Sequence, residues 1–274
     1  MSAGSRMSRL ASNIGNAVAL FFRAPPTPDR RPAWPPHGRL ALGALAAVLA
    51  LAVTVIALDA RSVAGARMLP SGLVWLFQYI TGLGLSGWFL IPIAIALLTL
   101  AAADAVATLP DFSRRVLATI SIRLGFVFMA IAMPGLFTAI IKRLIGRARP
   151  FVAGEDPWTS LLWVWRSDYA SFPSGHATTA FAAAVAIGAQ WPWLRPLMWT
   201  YAVVIAVSRV IVVAHHPTDV IAGAIVGAIG ALLMRNWYAS RRLGFAVATD
   251  GTVFKLPGPS PRRVKAVARQ LLSA

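Results

Sequence analysis

Long apolar runs separated by short charged clusters dominate the chain. The first run, Leu40–Leu58, has 19 residues without a charged side chain, which is enough for a helix to cross the hydrocarbon core of a bilayer. Five further runs follow, so the pattern predicts an all-α fold, a polytopic bundle of six transmembrane helices. The predicted spans are 40–58, 88–103, 116–141, 175–190, 197–213 and 220–234.

Shorter patterned segments flank these spans. Apolar residues recur at helical spacing over Ser8–Phe22, which predicts a short interfacial helix, although a disordered tail fits this segment equally well. Ala24–Gly38 contains six prolines and predicts a stiff linker. Between the first two spans the pattern is broken, and Leu73–Ile80 predicts a helix at or dipping into the membrane surface. Near the C-terminus, Asp250-Gly251 predicts a tight turn and Pro261–Leu271 a short amphipathic helix on the cytoplasmic leaflet.

The composition is that of an integral membrane protein. Hydrophobic residues make up 58% of the 274 residues, charged residues make up 13%, and the mean hydropathy is +0.68. These values are far from the balance of a soluble domain. The sequence contains no cysteine, which excludes disulfides, thiolate metal sites and cysteine nucleophiles.

The formal net charge of +17 is concentrated towards the two ends of the chain. Residues 1–39 hold six arginines against one aspartate, and residues 235–274 hold eight lysines or arginines against one aspartate. Such flanks predict cytoplasmic retention and contact with anionic lipids. Nucleic acid is not a predicted partner, because no binding module with interleaved aromatic residues accompanies the charge. The predicted organisation is a basic tail with linker (1–39), a membrane domain (40–235) and a basic C-terminal tail (236–274).

The predicted topology puts two connections on the outer face. An even number of spans returns both tails to one side, which the positive-inside bias identifies as the cytoplasm. The connections between spans three and four and between spans five and six then lie together outside. The first of these is strongly basic from Lys142 to Arg149, against the charge bias, and anion binding would explain the exception. Three tryptophans of this connection are predicted at the lipid headgroups: Trp158, Trp163 and Trp165.

The segment Ser208–Asp219 places an arginine, a histidine and a carboxylate in otherwise apolar sequence. Ionisable side chains at membrane depth are costly and usually indicate a site. Pro217 suits the first turn of a helix, so Asp219 can reach back to His215 and fix its tautomer, leaving the other ring nitrogen available. The alternative is a charged turn at the membrane surface with an incidental histidine.

Two further polar segments border the predicted spans. Lys142–Pro150 closes the third span with a lysine and an arginine seven residues apart, although alone it fits an ordinary basic cluster beside a membrane. Phe172–His176 opens the fourth span. There Ser174 can cap the helix, Gly175 lets a ligand approach the backbone, and the helix N-terminus attracts an anion. Capping alone would explain Ser174, but a histidine in the first turn of a membrane helix indicates function.

Together the three segments match the chemistry of phosphoryl transfer. Lys142, Arg149 and Arg209 supply positive donors, and a planar guanidinium fits phosphate oxygens in a bidentate way. The charge that develops on a transferring phosphoryl group requires such donors. Two of the four histidines in the sequence, His176 and His215, are placed for a nucleophile and a general acid.

At these residues the sequence resembles the type 2 phosphatidic acid phosphatases, whose superfamily includes the vanadium haloperoxidases and bacterial acid phosphatases. The signature of that family is K-x6-R-P, P-S-G-H and S-R-x5-H-x3-D. All three parts occur in order and at full spacing, at residues 142–150, 173–176 and 208–219. The resemblance covers about residues 85–235 and leaves the tails outside.

The resemblance implies a role for each matching residue. His215 would be the nucleophile that forms a phosphohistidine, Asp219 would orient it, and His176 would protonate the leaving oxygen. The phosphoryl oxygens would be bound by Lys142, Arg149, Arg209 and Ser174, with the backbone of Gly175. The family works without a metal or other cofactor, and the sequence shows no carboxylate or cysteine cluster that would suggest one. His216 is interpreted as a packing or polar-contact residue.

The predicted function is hydrolysis of a membrane-embedded lipid phosphate or diphosphate at the outer face of a bacterial-type inner membrane. Candidate substrates are undecaprenyl diphosphate, phosphatidic acid, phosphatidylglycerol phosphate and the phosphates of lipid A. The motifs do not separate them, because all three contact only the phosphoryl group. A lipid phosphotransferase with the same site is one alternative. A non-enzymatic anion-binding membrane protein is another, although charges gathered at one depth speak against a channel or transporter. The sequence leaves the oligomeric state open.

Overall fold

A computed structural model describes residues 3–27, 30–102, 109–153 and 159–272. Most of these residues are helical, as predicted, because a helix satisfies its backbone polar groups within one apolar segment. The helices are α1 (Ala3–Phe22), α2 (His37–Thr54), α3 (Ala60–Arg67), α4 (Ser71–Gly82), α5 (Gly87–Ala102), α6 (Asp111–Ile145), α7 (Pro150–Ala153), α8 (Gly175–Gln190), α9 (Arg195–Ile211), α10 (Pro217–Ser240) and α11 (Pro261–Leu272). Two strands, β1 (Phe245–Val247) and β2 (Val253–Lys255), pair antiparallel.

Within the described ranges, five helical segments are long and apolar enough to cross a membrane. They are His37–Arg67, Ser71–Ala102, Asp111–Ile145, Pro192–Ile211 and Pro217–Ser240. The remaining predicted span coincides with α8, which has 16 residues. At 1.5 Å per residue α8 is about 24 Å long, shorter than a hydrocarbon core of about 30 Å.

The first span extends further than the hydrophobic pattern predicted. That prediction ended at Leu58, but the helix continues through a π-helical turn, Val55–Asp59, and α3 to Arg67. Asp59 does not interrupt it because its carboxylate is fully buried and hydrogen-bonded by other segments. The helix predicted over Leu73–Ile80 lies within α4, which is followed after a short turn by α5.

The chain forms two compact units. Unit 1 comprises Met1–Ala33, Phe89–Met129 and Met234–Ala274, and unit 2 comprises Trp34–Trp88 and Ala130–Leu233. All the predicted site residues belong to unit 2. The division into two tails and a membrane domain remains a prediction.

Unit 1 has an aromatic and apolar interior. The ring centroid of Phe126 lies 5.3 Å from that of Tyr238 and 4.8 Å from that of Phe245. Val267 of α11 is buried against Val116 and other apolar residues of unit 1. Part of the apolar face predicted to lie on a leaflet therefore packs on the protein itself.

The β-hairpin is an addition to the predicted all-α fold. Its turn contains the predicted Asp250-Gly251 pair. Gly251 has φ +81°, a conformation that glycine adopts readily, and the Asp250 carboxylate accepts the N–H of Thr252 at 2.9 Å. The strands have three residues each, too few for the alternating pattern that predicts a strand.

In unit 2, α8 and α10 approach closely through small residues. A Cβ on Gly223 would lie 2.4 Å from the carbonyl oxygen of Ser174, and one on Gly227 would lie 2.3 Å from that of Thr178. Glycine is therefore required at both positions, as expected for tightly packed membrane helices. This packing holds the start of α8 against the N-terminal half of α10.

The connection between α6 and α8 carries exposed tryptophans. Trp163 and Trp165 are 73% and 82% exposed, and the Arg143 guanidinium lies 5.7 Å from the ring centroid of Trp165. Their location at lipid headgroups remains a prediction. Trp158, for which the same location was predicted, lies outside the described residues.

Candidate active site

The N-terminus of α8 begins at the predicted residue but is not capped as predicted. Ser174 precedes the helix, is fully buried, and makes no side-chain capping hydrogen bond. Its Oγ has no hydrogen-bond partner among the described residues. Capping therefore does not explain this serine, because the hydroxyl does not bond the N–H groups of the first turn. It is a buried donor and acceptor left available to a ligand.

A cation and a backbone link lie at this helix start. The Lys142 Nζ is 3.4 Å from the position that a Cβ on Gly175 would occupy, so an ammonium group lies directly beside the glycine. The backbone N–H of Ser174 donates to the carbonyl oxygen of Asp219 at 2.8 Å. The second and third sequence motifs are thus joined by a main-chain hydrogen bond.

The turn between α9 and α10 positions His215. The N–H groups of Ala214 and His215 both donate to the carbonyl oxygen of Arg209, at 3.1 and 3.2 Å, and Val213 adopts a positive φ of 53°. α10 begins at Pro217 as predicted. Its first turn contains Asp219, which is fully buried.

Asp219 faces one ring nitrogen of His215. Its Oδ2 lies 3.5 Å from the His215 Nδ1 and accepts the Ser171 hydroxyl at 2.5 Å. That hydroxyl is itself 3.4 Å from the same Nδ1. With the carboxylate on the Nδ1 side, Nε2 is the nitrogen left for chemistry.

His215 is electrically neutral at physiological pH. Its side chain is 2% exposed, and burial, which disfavours the charged ring, lowers its pKa from 6.5 to about 4. The Asp219 carboxylate opposes this shift, whereas the charges of Arg209 and Arg149 add to it. A neutral imidazole has the lone pair that a nucleophile requires.

Two arginines border the His215 turn. Arg209 is buried and its Nη1 donates to the Thr81 hydroxyl of α4 at 2.7 Å. Its Nε has no hydrogen-bond partner in the described ranges. Arg149 donates from Nε to the carbonyl oxygen of Ser167 at 2.9 Å and from Nη1 to that of Ala214 at 3.4 Å. Neighbouring protein groups therefore fix both guanidinium groups.

His176 lies within electrostatic range of four other predicted residues. They are Arg209, His215, Lys142 and Arg149. The structure thus brings together the residues that the sequence predicted from three distant segments.

His216 is a second buried imidazole beside the same carboxylate. Its Nδ1 is 3.5 Å from the Asp219 Oδ2, and its backbone N–H donates to that oxygen at 2.9 Å. Its distance to Asp219 equals that of His215. The difference is that the His215 Nδ1 also lies 3.4 Å from the Ser171 hydroxyl, whereas the His216 Nδ1 has no hydrogen-bond partner among the described residues.

Several polar residues of the hydrogen-bond networks around Asp219 and Arg209 were not predicted from the sequence. Asp59 and Arg147 belong to a buried ion-pair network with Asp219. Asp59 is the first acidic residue after a long apolar run, and Arg147 stands two residues before a predicted phosphate ligand, so both carried a weak signal. The others are the hydroxyl residues Thr81, Ser171 and Thr218, which resemble many others in the chain.

Within the described part of the chain, no group of three or more His, Cys, Asp or Glu side chains is placed to hold a metal ion. Metal independence remains a prediction.

Comparison with known proteins identifies the family. Residues 123–243 match the model of the PAP2 superfamily, and this segment contains all three motifs. A lipid A 1-phosphatase from Rhizobium etli is 33% identical over 203 residues, which are 74% of this chain and 86% of the relative. A lipid A 1-phosphatase from Rhizobium johnstonii is 34% identical over 188 residues, 68% of this chain and 77% of the relative. Among solved structures, the transmembrane PAP2-type phosphatidylglycerolphosphate phosphatase from Bacillus subtilis matches with a TM-score of 0.49 and 22% identity, over 70% of this chain and 94% of that one.

The chain therefore belongs to the PAP2 superfamily, and the resemblance seen in the sequence is confirmed. It is a membrane lipid phosphatase, so the non-enzymatic alternative is no longer needed.

Proposed function

We propose that the protein hydrolyses a phosphate or diphosphate group on a membrane lipid through a phosphohistidine at His215. One observation carries the proposal. A buried, neutral His215, held on its Nδ1 side by Asp219, shares one site with a second histidine, three cations and the Ser174 hydroxyl, which has no partner within the described ranges.

The phosphoryl group would bind between the start of α8 and the two arginines. Backbone N–H groups at a helix N-terminus suit an anion, and the Ser174 hydroxyl and Lys142 ammonium lie at the same place. Arg149 and Arg209 add donors that match phosphate oxygens. These groups stabilise the charge on the equatorial oxygens in the transition state.

The reaction would proceed in two displacements. In the first, the His215 Nε2 attacks phosphorus while the bond from phosphorus to the leaving oxygen breaks, and His176 gives its proton to that oxygen. This step releases the lipid alcohol, or the lipid monophosphate if the substrate is a diphosphate. In the second, water attacks phosphorus, His176 takes the proton of the water, and the P–N bond breaks. Inorganic phosphate leaves and His215 is again neutral.

A lipid A phosphate is the first substrate to test. It is the substrate class named for the two Rhizobium relatives, which align over most of their own length. Undecaprenyl diphosphate, phosphatidic acid and phosphatidylglycerol phosphate complete the panel, because the residues described contact only the phosphoryl group. The spanning helices favour a substrate whose acyl or prenyl chains stay in the membrane.

The proposed topology has six spans, of which α8 is the fourth and the shortest. Both basic tails would then face the cytoplasm and contact anionic lipids, and the site would face the outside of a bacterial-type inner membrane. The positive-inside bias supports this orientation. Reporter fusions after residues 165 and 215 should report the outside, and fusions at both ends the cytoplasm. The opposite pattern would move the site to the inner leaflet.

Phosphate release by the purified full-length protein across the lipid panel is the direct test. We expect release from at least one substrate and, after brief mixing, a phosphohistidine at His215 detected by mass spectrometry. The matched control is His216→Ala, which should keep the intermediate. Label on His216, or turnover by His215→Ala at the parent rate, would contradict the assignment of the nucleophile.

A phosphotransferase would use the same first step. Product analysis by thin-layer chromatography, with and without an acceptor lipid, separates the two reactions. Hydrolysis predicts inorganic phosphate in both samples, whereas transfer predicts a new phospholipid only when the acceptor is present.

A further inference from the structure

Asp59 is a fully buried carboxylate in the first membrane helix. Its Oδ1 accepts the backbone N–H of Thr218 at 3.0 Å, and its Oδ2 accepts the Thr218 hydroxyl at 2.6 Å. Thr218 immediately precedes Asp219 in the first turn of α10. Asp59 thus holds the backbone next to the carboxylate that faces His215.

Arg147 connects the two carboxylates. Its Nη2 donates to the Asp59 Oδ2 at 2.7 Å, and its Nη1 donates to the Asp219 Oδ1 at 2.6 Å and to the Thr218 hydroxyl at 2.7 Å. The arginine is anchored at its backbone as well, because its carbonyl oxygen accepts the N–H of Ser171 at 3.1 Å. Because both terminal nitrogens of this planar guanidinium are hydrogen-bonded, Arg147 fixes the orientation of the Asp219 carboxylate.

The two oxygens of Asp219 therefore have different partners. Oδ1 receives Arg147, whereas Oδ2 receives Ser171 and faces the His215 Nδ1. Asp59, Arg147 and Asp219 together carry a net charge of −1. How much of the Asp219 charge acts on His215 depends on how strongly Arg147 is also engaged by Asp59.

We propose that Asp59 and Arg147 are positioning residues that orient Asp219 and set how strongly its charge acts on His215. The proposal rests on the proposed function, because it assigns a supporting role to groups outside the phosphoryl-binding residues. Neither side chain takes part in bond making, and both act through Asp219.

A purely structural role is the competing explanation. Buried ion pairs are weak evidence for stability and can be replaced without loss, and Asp59 also satisfies an N–H in the first turn of α10, which has no partner within the helix. If the role were purely structural, removing the Asp59 or the Arg147 side chain would lower the amount of folded protein. It would not shift the pH dependence in a direction set by charge.

The proposed role predicts opposite shifts from opposite charge changes. Asp59→Asn keeps the size of the side chain but makes the network neutral, so protonated His215 is less favoured and the acid limb of kcat/KM moves to lower pH. Asp59→Asn/Arg147→Met restores the net charge of −1, so the limb returns towards its parent position. In both variants kcat should fall about 10- to 100-fold, as for outer partners of catalytic groups, with KM within about twofold of the parent.

The other groups that face His215 stay unchanged in these variants. They are Asp219 and Ser171, the cations Arg209 and Arg149, and His176 with its neighbour Lys142. Arg147→Lys is the conservative variant: it keeps the charge but loses the two-ended contact. It should therefore keep the parent pH limb while lowering kcat.

Thr138→Val is the matched control for a disturbed interior. Thr138 is buried in unit 2, with its Oγ1 3.1 Å from that of Thr178, and it has no place in the proposed chemistry. Rates are measured on detergent-purified full-length protein and corrected for folded fraction by tryptophan fluorescence. Thr138→Val should keep both kcat per folded molecule and the pH limb.

Two results would overturn the proposal. One is that Asp59→Asn loses activity only in proportion to its loss of folded protein. The other is that its acid limb coincides with that of the parent. If His215→Ala is inactive in the same assay while Asp59→Asn behaves as the parent, the positioning role fails and the proposed function stands. If His215→Ala is fully active, the proposed function itself fails.

Discussion

Two arginines set in apolar surroundings have different partners in the two units. Arg147 of unit 2 makes ion pairs with Asp59 and Asp219. Arg123 of unit 1 donates from Nη2 to the backbone carbonyl oxygen of Leu256 at 2.7 Å. A charged side chain in apolar surroundings indicates function by default. Here the partners of each arginine show whether it is connected to the candidate site. Arg147 is connected to His215 through Asp219. Arg123 instead holds the backbone at Leu256.

The largest loss of activity is expected at His215, the histidine that the unit 2 network reaches through Asp219. His215→Ala should lower kcat by at least about 10³-fold, as removal of a nucleophile does elsewhere, while His216→Ala should lower it less than tenfold. Phosphate release by the two purified variants checks this. Similar losses in both would mean that Asp219 serves the two rings equally.

Arg209→Lys should give the next largest loss. Lysine keeps the charge but not the planar pair of donors, so kcat/KM should fall about 10²-fold, close to the cost of one oxyanion donor. Thr81→Val, which removes only the hydroxyl that Arg209 contacts, should lower it much less. Parent-like kinetics for Arg209→Lys would exclude a bidentate role for this arginine.

The pH dependence should follow the lowered pKa of His215. Since the folded protein holds this ring neutral down to about pH 4, the proposed nucleophile would be in its active form above pH 4 and protonated below it. An unfolded chain binds this proton at its ordinary pKa of about 6.5, so stability falls as pH drops from 6.5 to 4. Titration of the ¹⁵N-histidine signals, assigned with His215→Ala, measures the value directly. A midpoint near 6.5 would place the ring in a water-like environment.

The smallest effect on activity should come from Arg123→Met. This variant leaves the Leu256 carbonyl without its donor, which costs about 1–3 kcal/mol of stability. It should leave kcat unchanged because every proposed catalytic group is in unit 2. Thermal unfolding and phosphate release measure the two effects, and a tenfold loss of kcat would show that the contrast between the two arginines is wrong.

The motif residues could be predicted from the sequence because polar groups stand out in apolar runs. Arg209 and His215 interrupt a hydrophobic pattern, and the spacing to Asp219 across Pro217 already implied a helix start. Asp59 and Arg147 do not stand out in this way. In the sequence, Asp59 follows an apolar run and so looks like the end of a span. Its burial depends on Arg147, a partner 88 residues away that the fold brings to it.

Three features of the fold differ from the prediction for different reasons. The first helix was expected to end at Leu58, where the apolar run ends, but the Asp59 carboxylate that follows is paired through long-range contacts. Capping was one explanation for Ser174, since serine favours helix N-caps, but its hydroxyl has no capping bond. The β-hairpin was not predicted because its strands are too short to show an alternating pattern.

The bond from the Ser174 N–H to the Asp219 carbonyl oxygen joins two motifs through peptide groups alone. No change of side chain removes either partner directly, apart from proline at position 174. Side chains around this bond can therefore be exchanged while the start of α8 stays aligned with the turn that carries His215.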